Sequence, residues 1–149
     1  MHRGLIPVVA TALFAGHLQA GELPKNEAPE VLPQYEVECP DGAKAAEACQ
    51  VSKDTYVGWR TFHGHCFQCH GGSALGSSFA PNLLDRFNQH VDYGRFSYVL
   101  EHGYTGQMGA MPAFAKNPAV SKDVDAIYAY LRARADGALP PGRPVRRKN

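Results

Sequence analysis

Two cysteines and a histidine stand together in Cys66-Phe67-Gln68-Cys69-His70, and these residue types at this spacing can do chemistry. Two intervening residues place both thiols on one turn of chain, with an imidazole directly after. This is the spacing at which two thiols add to the two vinyl groups of a haem, and the histidine that follows then lies beneath the iron as an axial ligand. Two other chemistries use a CxxC pair. A dithiol redox site sits on a βαβ pattern, and no run of strands precedes it here. A zinc site needs two further ligands in a matching cluster, and the spacing of Cys39 and Cys49 is unlike a second CxxC. The expectation is one covalently attached haem c held by Cys66 and Cys69, with His70 on the iron.

An iron that passes electrons rather than binding gases needs a second axial ligand. A thioether stabilises ferrous iron and raises its potential. Beyond Met1 the chain offers Met108 and Met111. Met111 precedes Pro112, which pushes it towards extended backbone and removes a donor, as suits a loop held over a ring face. Met108 is the rival. His102 and His90 are rivals for a bis-histidine site. His102 ends a helical pattern where a cation suits the helix dipole. His63 and His65 lie too close to His70 in sequence to reach the opposite face.

These groups must be carried by elements. Ser52 or Asp54 can cap a helix running through Tyr56, Trp59 and Phe62 to the CxxCH run. Residues 71–81 form a Gly/Ser-rich loop, and residues 82–88 a short helix. Tyr93–His102 has helical spacing and stops at Gly103. Residues 103–118 hold three glycines, two prolines and both methionines and read as loop. Ser121 can cap a last helix through about Ala135, with Val124, Ile127, Tyr128, Leu131 and Ala135 on one stripe. Nothing reads as a strand hairpin. The class is all-α.

At the N-terminus, residues 1–20 read as a cleaved signal peptide: a basic start at Arg3, an apolar run, and Ala20 for cleavage. The run is shorter than a span requires, so no integral membrane segment is expected after cleavage. In an exported chain the even pair Cys39 and Cys49 is most simply a disulfide, worth about 2–3 kcal/mol by chain entropy. Domain bounds follow: a signal over 1–20, an extension with the disulfide over 21–53, the core over 54–136 and a basic tail over 137–149. Both flanks are rich in Pro, Gly and charge and read as poorly packed. Formal charge is +1. The extension is acidic, and the tail carries Arg143, Arg146, Arg147 and Lys148. With no aromatic residues interleaved, the tail reads as a solvated end and not a nucleic-acid site.

The order helix, CxxCH, loop, two helices, methionine loop, terminal helix resembles class I cytochromes c over residues 54–136. The resemblance implies that Gly58 and Phe62 let the first helix cross the last closely, against Ile127, Tyr130 and Leu131. It implies Met111, in its Met-Pro setting, as the sixth ligand. It also implies the Pro81 backbone carbonyl as acceptor for the other ring nitrogen of His70, which fixes that ring. Tyr93, Tyr98, Tyr104 and Trp59 are donors available to haem propionates. A narrower resemblance lies in Thr55-Tyr56-Val57-Gly58-Trp59-Arg60-Thr61-Phe62-His63, in Gly76-Ser77-Ser78-Phe79-Ala80-Pro81-Asn82-Leu83, and in Ala129-Tyr130-Leu131-Arg132-Ala133-Arg134-Ala135-Asp136-Gly137. These stretches are similar to the cytochrome cL-like acceptors of quinoprotein (PQQ-dependent) methanol and alcohol dehydrogenases, and the Cys39/Cys49 pair fits the same group. That resemblance implies a periplasmic electron carrier, not an enzyme. It would be reduced by a PQQ-dependent alcohol dehydrogenase and oxidised by a downstream cytochrome c or terminal oxidase, with charges steering the encounter. The alternatives are a general respiratory cytochrome c, or a haem sensor or peroxidase-like protein with an open iron position.

Overall fold

The computed structural model describes residues 24–89 and 91–148. The signal-peptide reading and His90 therefore lie outside the described residues. Among those described, no helix is long and apolar enough to cross a membrane.

Six helices carry the core. In chain order they are α1 Lys53–His65, α2 Phe67–His70, α3 Leu83–Gln89, α4 Tyr93–His102, α5 Pro118–Ser121 and α6 Val124–Ala135. Their starts follow local chemistry. The Ser52 hydroxyl accepts the Thr55 N–H at the head of α1, the Asn82 side chain accepts from Leu84 and Asp85 ahead of α3, and Asp92 accepts from Arg95 at α4. Each satisfies donors that a helix N-terminus leaves orphaned.

The long helices α1 and α6 cross at Gly58. A Cβ on Gly58 would stand 1.9 Å from the Ala126 carbonyl oxygen and 2.9 Å from Tyr130 Cβ. Only a missing side chain permits that approach. One turn on, the rings of Phe62 and Tyr130 meet at 5.5 Å. Ile127, Tyr130 and Leu131 are fully buried there, so the crossing expected from the glycine and its aromatic partner is present. Behind α6, Phe87 of α3 and Phe96 of α4 pack on Tyr128 at 5.4 and 5.5 Å.

The last helix begins later than expected. Asn117 caps α5, and Ser121 is that short helix's final residue. Asp123 precedes α6 without capping it, because its carboxylate accepts the Thr61 hydroxyl of α1 at 2.7 Å. A tertiary bond has taken the residue that local rules would have used as a cap.

Strands are the larger departure. Tyr104–Gly106 (β3) and Gly109–Met111 (β4) pair antiparallel, Tyr104 opposite Met111, around a two-residue turn at Gln107 and Met108. The expectation of loop without a hairpin is thus corrected. The segment lacks the alternating apolar pattern by which strands are read, and its signal is only the pair of glycines flanking the turn.

The flanks are corrected too. Val37–Glu38 (β1), Gln50–Val51 (β2) and Val145–Arg146 (β5) form a three-stranded sheet in the order β1-β2-β5, antiparallel then parallel. Cys39 and Cys49 are joined by a disulfide beside it. The tail is packed: Leu139 and Pro144 are fully buried, and Arg147 pairs with both Glu36 and Glu38. Arg143 donates to the Glu47 carboxylate through its backbone and to the Tyr56 hydroxyl through its guanidinium, which lies 5.5 Å over Trp59. The tail is thus tied to the extension by an Arg147 bridge to two glutamates that stay largely exposed. At the other end, the Asn26 N–H donates to the Gly94 carbonyl at 2.9 Å.

Candidate functional site

Helix α1 delivers the chain to Cys66, which ends it, and α2 carries Phe67 to His70 on the next turn. Both thiols are free. Burial pushes the Cys66 thiol up to about 11, with the nearby Cys69 adding to the rise. A nucleophilic thiol has a depressed pKa, and Cys66 is shifted the other way. Among the described residues no group of three or more His, Cys, Asp or Glu is arranged to hold a metal ion.

His70 is 7% exposed, and its Nδ1 lies 3.1 Å from the Pro81 carbonyl oxygen. Burial holds its pKa below the ordinary value, and the Pro81 contact opposes that only in part, so the imidazole is neutral and fit to ligate. The loop between them folds back to make the contact. The Gly76 N–H donates to the His70 carbonyl, the Leu83 N–H to Ala74, and the Ser77 hydroxyl to Cys69. At Gly76 φ is +84°, and a Cβ would stand 2.6 Å from the Asn82 nitrogen, so a side chain is excluded.

The surroundings fit a porphyrin. Phe67, between the two cysteines in sequence, and Leu75, Phe79 and Met108 are large apolar side chains left exposed, Phe79 by 71%. Leu75 and Met108 line one cleft with Gly76, Pro81 and Arg86. Apolar surface of this kind gains about 25 cal/mol per Å² when covered. A flat macrocycle tethered at Cys66 and Cys69 is of the chemistry to cover it.

The two methionines differ in setting. Met111 ends β4, half-buried against the core, with Phe114 tied by its N–H to the Leu100 carbonyl at 2.7 Å. Met108 stands in the hairpin turn, half exposed. The histidine rivals are otherwise engaged. His63 Nδ1 contacts the Trp59 carbonyl at 2.8 Å, and its ring lies between Trp59 and Phe67. His102 stacks on Tyr98 at 4.2 Å on the surface, and His65 is exposed. Of the four propionate candidates, the Tyr93 hydroxyl is committed to Asp125, Tyr98 stacks on His102, and Tyr104 lies under Arg95. Trp59 Nε1 is buried and has no partner.

Sequence reasoning passed over Arg134. It is buried on α6 and donates to the Ser73 carbonyl of the loop after His70 and to the Leu139 carbonyl of the tail. The signal was present: Arg134 follows Ile127 by two helical turns and so falls on the apolar stripe.

Comparison with known proteins bears on the family. The family model described as cytochrome c oxidase, cbb3-type, subunit III matches residues 54–131. Cytochrome c-553I of Paracoccus denitrificans is 37% identical over 110 residues, 71% of this chain and 48% of that protein. Cytochrome c-555 of Methylococcus capsulatus (Bath) is 35% identical over 104 residues, 68% of this chain and 80% of its own length. The crystal structure of the c-type cytochrome XoxG from Methylobacterium extorquens AM1 superposes with a TM-score of 0.62 at 37% identity, covering 67% of this chain and 62% of that one. The chain thus spans about half of the Paracoccus protein and most of the Methylococcus one.

Proposed function

This chain belongs to the class I c-type cytochromes, electron-transfer proteins and not enzymes, and on that premise we propose that it is a periplasmic carrier of single electrons with one covalently held haem. The observation that carries the reading is the buried His70, its ring fixed by the Pro81 carbonyl, next to two free thiols three residues apart. Bound there, a haem supplies a one-electron ferric/ferrous couple. Cys66 and Cys69 tether it. His70 presents its Nε2 to the iron, and the Pro81 contact keeps that nitrogen deprotonated and aimed. Met111 is the sixth ligand: β4 and the Leu100–Phe114 bond give its backbone a fixed place, whereas Met108 rides on a turn. A sulfur ligand closes the iron to gases and peroxide, which disfavours the sensor and peroxidase-like readings.

Two measurements test the site. Mass spectrometry of a peptide spanning residues 66–70 from periplasmic protein should show an added haem, and a bare peptide would end the reading. Met111→Ala should abolish the near-infrared sulfur–iron band while Met108→Ala keeps it. The reverse result would move the ligand to Met108.

The donor is a PQQ-dependent methanol or alcohol dehydrogenase, and the acceptor a downstream cytochrome c or terminal oxidase. The stretches similar to that family's cytochromes support this, because they include the α1–α6 crossing and the loop from Gly76 to Leu83 that seats His70. In stopped-flow mixing, the reduced quinoprotein should reduce this cytochrome much faster than an unrelated donor of similar potential does. Equal rates would leave a general respiratory carrier.

A further inference from the structure

Arg134 is 7% exposed. Its guanidinium donates to the Leu139 carbonyl at 2.7 Å and to the Ser73 carbonyl at 3.0 Å, and its Nε is buried without a partner. Among the described residues no carboxylate pairs with it; the described ion pairs involve other side chains. Burying a cation without a counter-charge is costly, and bonding two carbonyls needs only a neutral donor. Arginine nevertheless retains its proton in such settings.

The location of the charge gives it a use. Ser73 lies in the loop that leaves His70 and returns to Pro81, and that loop is closed by the Gly76 N–H on the His70 carbonyl. A guanidinium bonded to Ser73, three residues after His70, acts in a medium that screens it weakly. Oxidised iron carries one more positive charge than reduced iron, so a fixed cation nearby disfavours the oxidised state.

We propose that Arg134 is a positioning residue for electron transfer, whose buried, uncompensated charge on the His70 loop raises the reduction potential of the haem. The inference rests on the haem reading above.

The test is potentiometric titration of haem-loaded variants. Arg134→Gln removes the charge and keeps an amide donor, Arg134→Met removes both, and Arg134→Lys keeps the charge. Two neutral variants are used so that poor folding of one does not decide the matter. Both neutral variants should show a midpoint potential below wild type by similar amounts, with the sulfur–iron band intact, and the lysine variant should stay near wild type. The downward shift should persist from low to high salt, because a buried charge escapes ionic screening. A wild-type potential in either neutral variant, or a lysine variant shifted as far as they are, would overturn the proposal. Wild-type protein without haem by pyridine haemochrome analysis would instead overturn the haem reading on which it rests.

Discussion

Tyr130 shows how much a single buried side chain can make stability depend on pH. Burial pushes its phenol up to about 12, with Arg134 beside it pulling the other way. An unfolded chain ionises tyrosine near pH 10. Between about 10 and 12 the unfolded state therefore loses this proton while the folded state keeps it. The stability tied to Tyr130 is intact below pH 10 and falls as pH rises through that window. Tyr130→Phe should flatten the alkaline limb of the unfolding free energy, by about 2–3 kcal/mol at pH 12; curves that stay parallel would discount the effect. The thiols, His70 and both methionines stand out at this scale by residue type and spacing, and the fixing of His70 by the Pro81 carbonyl was expected from the resemblance. Arg134 was marked only by its place on the apolar stripe, and packing against two backbone carbonyls is what gives it a site.

Among the elements, the crossing of α1 and α6 places the CxxCH turn. Because the Gly58 hydrogen faces a backbone carbonyl that cannot swing aside, Gly58→Ala should cost about 3 kcal/mol, the upper end of overpacking. Gly64, on the same helix, has open space where a Cβ would stand, and Gly64→Ala should gain up to about 1 kcal/mol from helix propensity. Urea unfolding of the two variants reads the difference, and equal effects would remove the close approach as the reason for Gly58. Helix positions were readable from capping residues and apolar spacing. The hairpin at Tyr104–Met111 was not, since its two short strands satisfy their backbone groups without burying a periodic face. The start of α6 was missed for another reason: Asp123 bonds Thr61, a partner 62 residues away.

For the whole molecule, the sheet of β1, β2 and β5 ties both flanks to the helical core. Cys39 and Cys49 close a loop of 10 residues, and replacing both with alanine should cost about 2–3 kcal/mol by chain entropy. Arg147→Gln, which breaks only partly exposed ion pairs, should cost less than about 1 kcal/mol. Thermal unfolding of both variants ranks the two ties, and a larger loss from Arg147→Gln would reverse the ranking. Charge pairing within the sheet bears on docking as well. Arg147 pairs with Glu36 and Glu38, Glu47 accepts from the Arg143 backbone N–H, and from Thr61 to Leu84 no Asp, Glu, Lys or Arg occurs. The loop after the thiols is poor in charge and its cleft carries one Asp85 against one Arg86, so reduction by the donor should slow little between low and high salt, in contrast to a steered encounter. A steep salt dependence would restore steering by the remaining acidic residues.

The sequence by itself determined which local patterns this chain carries: CxxCH, a methionine before proline, and a glycine one helical turn from an aromatic are defined by neighbours along the chain. Tertiary structure alone decided that the charged flanks pair with each other, that Asp123 serves α1 instead of its own helix, and that Arg134 is sealed against the loop after His70. Each of those depends on residues brought together from far apart, and a linear pattern carries no record of such distances.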